Sequence, residues 1–585
     1  MTTTKRFRPF AGQLGALGTA ALLLAACTPP EHMNSVPIAE NTDAPRVTGA
    51  VTAADPRAEA AGEAMLARGG SATDAAIAVM LALTVVEPQS SGIGGGGFIV
   101  RGTADGAVTS FDGRETAPAG ADPQWFIGED GELRDYRTTV RSGLSVGVPG
   151  NIAVAAKAHA AHGKLAWAEL FQPAIALARD GFTMNVRLNE SLSTRFDRAG
   201  LTEFGRDLYY NADETPKAVG TTLKNPAIAG MLEAVANTGP EAFYASPSAI
   251  QMADMVKAAT PRSGGMTPAD VAGYVAKERE AVCGTYRGYR ICGMGPPSSG
   301  AVAVTQILGQ LERFDLTALG ADNPVTWHLF LESQRLAYAD REIYLADSDF
   351  VDVPVKQLIN TEYLAQRSAL IRADAALESV SPGTPRGVTQ AFADGDEPPE
   401  NGTSHLAVID SAGTMISYTS TIEGAFGSGL IHHGFYLNNE LTDFSRSPEK
   451  DGKPVANRIE AGKRPRSSMA PTIIYDPDGK PVAAIGAAGG TTIPVQTARS
   501  IIGIIDFGLS AEDALGLPLI MAFGSRVLVE EGTWLEARKA EFEALGHGQI
   551  VARKPPLKAG AIVWNGAGWD SARDPRLKGK LEYTK

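Results

Sequence analysis

Asp394-Gly395-Asp396-Glu397-Pro398-Pro399-Glu400-Asn401-Gly402-Thr403-Ser404-His405 is the stretch on which the reading of this chain turns. Its acids, prolines and Asn-Gly pair mark an exposed, irregular linker where a break in the chain is tolerated. After His405 the character changes: Leu406 to Ile409, Met415 to Thr421, Pro471 to Tyr475 and Val482 to Ile485 are strand-like. Before the linker, Ile152 to Leu377 carries helical periodicity in several stretches, Trp327 to Tyr344 among them. Nearer the start, Ser71-Ala72-Thr73-Asp74 reads as a capping box, and Ala75 to Val86 is apolar on all faces, which predicts a buried helix. No repeat period and no second composition boundary is present, so one αβ domain is expected, with strands drawn from both sides of the linker.

The hydroxyl at the linker–strand junction has a chemical reading. A threonine is a poor nucleophile without a nearby base, and one economical base is its own α-amine, freed by cutting the bond before it. With a reference pKa of about 7.7–8.0, much of such an amine is neutral near working pH.

The ends and the composition bound the setting. The chain has 585 residues, 44% hydrophobic and 20% charged, enough for a large globular core. Lys5, Arg6 and Arg8 precede an apolar run from Leu14 to Ala26, too short for the roughly 20 residues of a spanning helix, so residues 1–26 read as a secretory leader. Leu24-Ala25-Ala26-Cys27 resembles a bacterial lipobox, in which Cys27 is lipidated and becomes the mature N-terminus. The alternative is an ordinary leader with an incidental cysteine. Residues 27–46, with Pro29, Pro30, Pro37 and Pro45, read as a flexible tether, so the expected location is the periplasmic side of a bacterial membrane, anchored by lipid alone. Loss of residues 1–26 leaves 50 basic against 66 acidic residues, a formal net charge of −16, which argues against nucleic acid as a partner. Cys283 and Cys292 flank a predicted hairpin turn, and an oxidising compartment favours a disulfide over two free thiols.

Two motif matches fail on context. Gly92 to Gly97 fits a dinucleotide fingerprint but opens onto strand-like Phe98-Ile99-Val100, with no helix N-terminus for a pyrophosphate. Gly143-Leu144-Ser145-Val146-Gly147 fits a nucleophile elbow, yet Val148-Pro149-Gly150 follows where a helix must begin. Metal-ligand spacings are lacking, the adjacent His432-His433 included, so neither a metal nor another cofactor is expected.

Several longer motifs share one order. Gly402-Thr403-Ser404-His405, Asn438-Asn439-Glu440-Leu441-Thr442-Asp443-Phe444-Ser445, Gly462-Lys463-Arg464-Pro465-Arg466-Ser467-Ser468-Met469-Ala470-Pro471-Thr472 and Gly486-Ala487-Ala488-Gly489-Gly490 resemble the γ-glutamyltranspeptidase family. Gly113-Arg114-Glu115-Thr116-Ala117-Pro118, Gly147-Val148-Pro149-Gly150, Pro296-Pro297-Ser298-Ser299-Gly300 and Arg335 to Arg341 resemble its large-subunit motifs. The resemblance runs from about Val51 to Arg576.

The resemblance implies an N-terminal-nucleophile hydrolase with a four-layer αββα sandwich, cut between Gly402 and Thr403 into residues 47–402 (27–402 with the tether) and 403–585, which stay together. By matching position, Thr403 is the nucleophile and α-amine base, Thr421 hydrogen-bonds it, and Gly489 and Gly490 donate N–H groups to the oxyanion. Arg114, Ser467 and Ser468 hold the α-carboxylate of a γ-glutamyl group, while Glu440 and Asp443 hold its α-ammonium. The implied partners are glutathione or other γ-glutamyl donors and water, amino acids or peptides as acceptors.

The chain departs from the pattern in places. Glu423 stands where the best-known members have an asparagine contacting the amine; facing away, it would pair with Arg464 or Arg466. Ala301, Ala487 and Ala488 are unusual, and the Asp443–Ser467 segment is shorter than in members with a lid. The rival readings are an acylase for glutaryl side chains and an uncut lipoprotein that only binds γ-glutamyl ligands.

Overall fold

The computed structural model describes residues 49–389, 391–395, 402–524, 526–555 and 557–584. The leader, Cys27 and the tether lie outside the described residues, as do residues 396–401 of the linker.

Twelve strands build two sheets: β1 (Ala50–Ala53), β2 (Gly96–Gly102), β3 (Val108–Gly113), β4 (Lys277–Arg279), β5 (Val282–Tyr286), β6 (Tyr289–Gly293), β7 (Gly402–Ile409), β8 (Met415–Glu423), β9 (Thr472–Tyr475), β10 (Pro481–Ala488), β11 (Lys558–Trp564) and β12 (Trp569–Arg573). The first sheet runs β1-β7-β8-β2-β3-β4 and the second β12-β11-β10-β9-β6-β5. Every neighbouring pair in both is antiparallel. Each sheet takes strands from before and after the linker, as expected of one domain.

The sheets lie face to face. The His405 ring of β7 sits on Gly486 of β10, where an added Cβ would come within 2.4 Å of it. Ser417 Oγ donates to Ile485 O at 3.0 Å and accepts from Thr472 N at 2.9 Å, so polar groups between the sheets are paired. Helices Pro56–Ala67, Ala72–Val86 and Asn151–His162 cover the outer face of the first sheet, and Gly300–Leu311 and Ile493–Ile505 cover the second. The result is the expected αββα sandwich. Ala72–Val86 is buried throughout, and Ser71 and Asp74 close the capping box at its start.

Cys283 and Cys292 sit opposite each other in the β5–β6 pair and are joined by an S–S bond of 2.06 Å.

Candidate active site

β7 and β8 place two threonine hydroxyls on one peptide carbonyl. The ladder between them is regular as far as Ser420–Ser404, then shifts so that Glu423 pairs with Gly402. Such a bulge re-aims side chains at a strand end. Here Thr421 Oγ1 donates to Gly402 O at 2.7 Å, Thr403 Oγ1 lies 2.5 Å from the same oxygen, and the two hydroxyls are 3.3 Å apart. Glu423 N donates to Thr421 Oγ1 at 2.8 Å and fixes its orientation. The strand runs through Gly402-Thr403, and both residues are buried although the linker before them reads as exposed.

The glycine run before β2 gives this pair room. A Cβ at Gly95 would fall 2.0 Å from Thr421 O, so the run permits a close backbone approach rather than cradling a phosphate. Ser145, the discarded elbow serine, is buried and donates to Val140 O and Ser142 O.

Past the bulge the contacts continue into a carboxylate cluster. Glu423 Oε2 accepts from Asn439 Nδ2, and Asn439 Oδ1 accepts from Gly424 N at 2.9 Å. Glu423 therefore points toward the predicted pocket; Arg464 and Arg466 are engaged elsewhere, by Asp112 and Glu342. Its φ of +68° is a conformation that a long side chain rarely adopts and asparagine tolerates better. Asn438 anchors the neighbouring turn: its Oδ1 accepts from Gly147 N at 2.9 Å and Glu440 N at 3.0 Å, and its Nδ2 donates to Gly94 O at 2.8 Å.

Arg114 is the cation of the cluster. Its guanidinium pairs with Glu440 Oε1 and Asp443 Oδ2, and donates to Pro465 O at 3.1 Å and Arg466 O at 2.9 Å, next to Ser467. The residues assigned from sequence to the carboxylate and ammonium ends thus pair with each other. Ser467 Oγ accepts from Met469 N at 3.1 Å, while Ser468 Oγ accepts from Arg341 Nη2 at 2.8 Å. Gly489 and Gly490 follow β10 with φ of +133° and +59°, a turn that demands glycine. Thr492 holds it by donating to Gly489 O from N at 3.2 Å and Oγ1 at 2.7 Å.

The electrostatics follow from burying four acids around one arginine. Burial pushes the Glu115 carboxyl up to about 8 against the pull of Arg114. Burial and then Asp443 push Glu423 up to about 8, against Arg198 and Asn439. Glu440 is raised well above the usual carboxylate range, again chiefly by burial, with Glu115 and Asp443 adding to it. Glu115 and Glu440 share a side-chain hydrogen bond, and Glu115 Oε2 lies 4.0 Å from Arg114 Nη1, so both acids belong to one buried cluster around that guanidinium. Sequence reasoning passed over Glu115, Asn439 and Arg341, although each lies inside a quoted motif. Among the described residues no group of three or more histidines, cysteines and acids is placed to hold a metal.

A four-layer antiparallel sandwich with a threonine hydroxyl on the carbonyl before it, at the head of a central strand, defines the N-terminal-nucleophile hydrolase class. The γ-glutamyltranspeptidase family model matches residues 58–584, and the chain belongs to that family. It is 36% identical to the glutathione hydrolase proenzyme of Bacillus subtilis (strain 168) over 483 residues, 81% of this chain and 80% of that protein. It is 34% identical to the glutathione hydrolase proenzyme of Escherichia coli (strain K12) over 520 residues, 86% of each. Among solved structures, the cephalosporin acylase from Bacillus halodurans superposes with a TM-score of 0.79 at 26% identity, covering 94% of this chain and 98% of that one.

Proposed function

We propose that the chain is a self-processing γ-glutamyltransferase and glutathione hydrolase that works through a γ-glutamyl-Thr403 ester. The observation that carries this is the pair of hydroxyls on Gly402 O, connected through Glu423 and Asn439 to the Arg114–Glu440–Asp443 cluster.

In processing, Thr403 Oγ1 attacks the Gly402 carbonyl carbon, the Gly402–Thr403 C–N bond breaks, and the hydroxyl proton passes to the departing nitrogen. Thr421 O–H stabilises the oxyanion on Gly402 O. Water then hydrolyses the resulting ester, leaving residues 403–585 with a free Thr403 amine, paired with the preceding chain as a heterodimer. In turnover that amine takes the Oγ1 proton, Oγ1 attacks the γ-carbonyl, and the amide nitrogen leaves with the proton. Gly489 and Gly490 N–H groups receive the oxyanion. Water, an amino acid or a peptide then accepts the acyl group.

A zwitterionic γ-glutamyl end suits an ion pair that can be exchanged. The substrate carboxylate takes Arg114, with Ser467 and Ser468 beside it, and the substrate ammonium takes Glu440 and Asp443, so no buried charge is left alone. On the same reading Cys27 carries the lipid and the enzyme works on the periplasmic face of a bacterial membrane.

One observation favours a second reading, a glutaryl acylase: Arg114 already pairs with Glu440 and Asp443, so a donor without an ammonium leaves both with a cationic partner. The deciding experiment compares kcat/KM for a γ-glutamyl anilide and its glutaryl counterpart. The proposal requires the γ-glutamyl compound to be preferred by at least about tenfold, the worth of one charge-assisted hydrogen bond; equal rates or a glutaryl preference would reverse the assignment.

A further inference from the structure

The helix Pro324–Tyr344 ends against the Ser467-Ser468 pair, and one of its side chains reaches both that pair and the loop behind it. Arg341, 1% exposed, donates from Nη2 to Ser468 Oγ at 2.8 Å and from Nε to Ser299 Oγ at 2.9 Å. Ser299 Oγ donates in turn to Ser467 O at 2.8 Å, and Ser299 N donates to the same oxygen at 2.8 Å. The grip is mutual. Arg466 Nη1 donates to Arg341 O at 2.8 Å and Glu342 O at 3.3 Å, among the last carbonyls of the helix, and Glu342 pairs with both arginines. Tyr338 lies on the same helix face, three residues before Arg341, and its hydroxyl donates to Thr491 O, beside the Gly489-Gly490 turn.

The direction of these bonds decides what the serines can offer. A serine hydroxyl has one proton to give and an oxygen that accepts, whereas a guanidinium or a backbone N–H can only donate. Arg341 therefore uses the Ser468 oxygen as an acceptor, and Met469 N does the same to Ser467 Oγ at 3.1 Å. Neither serine proton can go to those partners, and among the described residues neither hydroxyl donates to another group. A carboxylate, which only accepts, is the matching ligand. Arg114, which grips Pro465 O and Arg466 O, sets a cation beside the pair.

We infer that Arg341 is a positioning residue for the substrate carboxylate: it fixes the Ser468 hydroxyl as a donor and, through Ser299, braces the backbone of Ser467. This rests on the reading above, in which both serines meet the α-carboxylate of the donor. After a cut between Gly402 and Thr403, Arg341 and Ser299 belong to the first chain and the two serines to the second, so the grip ties donor binding to the pairing of the chains.

The test is kcat and KM for a γ-glutamyl anilide and for γ-aminobutyryl anilide, which lacks the α-carboxylate. Arg341→Met should raise KM for the γ-glutamyl compound more than it lowers kcat, with kcat/KM down about tenfold, and leave γ-aminobutyryl anilide unaffected. Arg341→Lys, which still only donates, should recover part of the loss. In an Arg341→Met, Ser468→Ala double variant the two losses should not add, because the arginine acts through the serine. Splitting into two chains on a denaturing gel serves as the folding control. Where Arg341→Met fails it, Arg341→Gln carries the same expectation, since its amide oxygen can take the Ser468 proton. No loss in the Arg341 variants, an equal loss for both donors, or losses that add in the double variant would overturn the inference. A Ser468→Ala protein that discriminates between the two donors as wild type does would instead remove Ser468 from the carboxylate site and sink the reading beneath it.

Discussion

Replacing Glu423 with glutamine removes one ionisable carboxyl from the pocket while keeping an oxygen for Asn439 Nδ2. Its carboxyl, pushed up to about 8 by burial and by Asp443, is mostly protonated at pH 7. Gripping a substrate ammonium with the ionised form then requires loss of that proton, which offsets part of what the contact gains. A charge-assisted hydrogen bond contributes about 1.5–3 kcal/mol. The net loss in Glu423→Gln is therefore below that full value at pH 7, less than about a hundredfold in kcat/KM, and grows toward it as the pH rises through about 8. The assay is kcat/KM for γ-glutamyl and glutaryl anilides in both proteins from pH 6.5 to 8.5. Wild type should gain γ-glutamyl preference with pH and the variant should not; a γ-glutamyl to glutaryl ratio that is the same in both proteins at every pH would remove Glu423 from the substrate site.

Three further outcomes are expected. His405, held down to about 3 by burial, stays neutral in the fold while the unfolded chain takes up a proton below about 6.5, so stability falls with falling pH. The loss from this residue is about 2 kcal/mol between pH 6.5 and 5, and His405→Gln should flatten that slope in denaturant titrations; Glu115 and Glu423, raised to about 8, act in the opposite sense and are common to both proteins. Removing the Cys283–Cys292 bond in a Cys283→Ala, Cys292→Ala double variant should cost about 2–3 kcal/mol, read as a lower Tm, and an unchanged Tm would mean that the bond stabilises nothing. Cys27→Ser should abolish labelling by a fatty-acid probe and membrane partition in bacteria, and equal labelling of the two proteins would dismiss the lipid anchor.

The architecture was legible where local pattern and tertiary role coincide. The change at Thr403 from linker to strand, the capping box at Ser71 and the all-apolar helix after it are each dictated by nearby residues. The Gly92–Gly97 run could be stripped of its nucleotide reading because a strand follows, but its actual use, admitting Thr421 O, depends on a partner more than 300 positions away. A similar separation hides the pairing of Arg114 with Glu440 and Asp443, and a shorter one, 127 positions, the grip of Arg341 on Ser468. The bulge that turns Thr421 onto Gly402 O is invisible in a strand pattern that runs without interruption from Met415 to Thr421.

The central claim is that Thr403 cuts the chain before itself. Purified wild type and Thr403→Ala should be compared on a denaturing gel, with N-terminal sequencing of the smaller product. Wild type should give two chains, the smaller starting Thr403-Ser404-His405, and Thr403→Ala should remain a single chain. A wild type that turns over γ-glutamyl donors while uncut, or a Thr403→Ala protein that still splits before residue 403, would contradict the account.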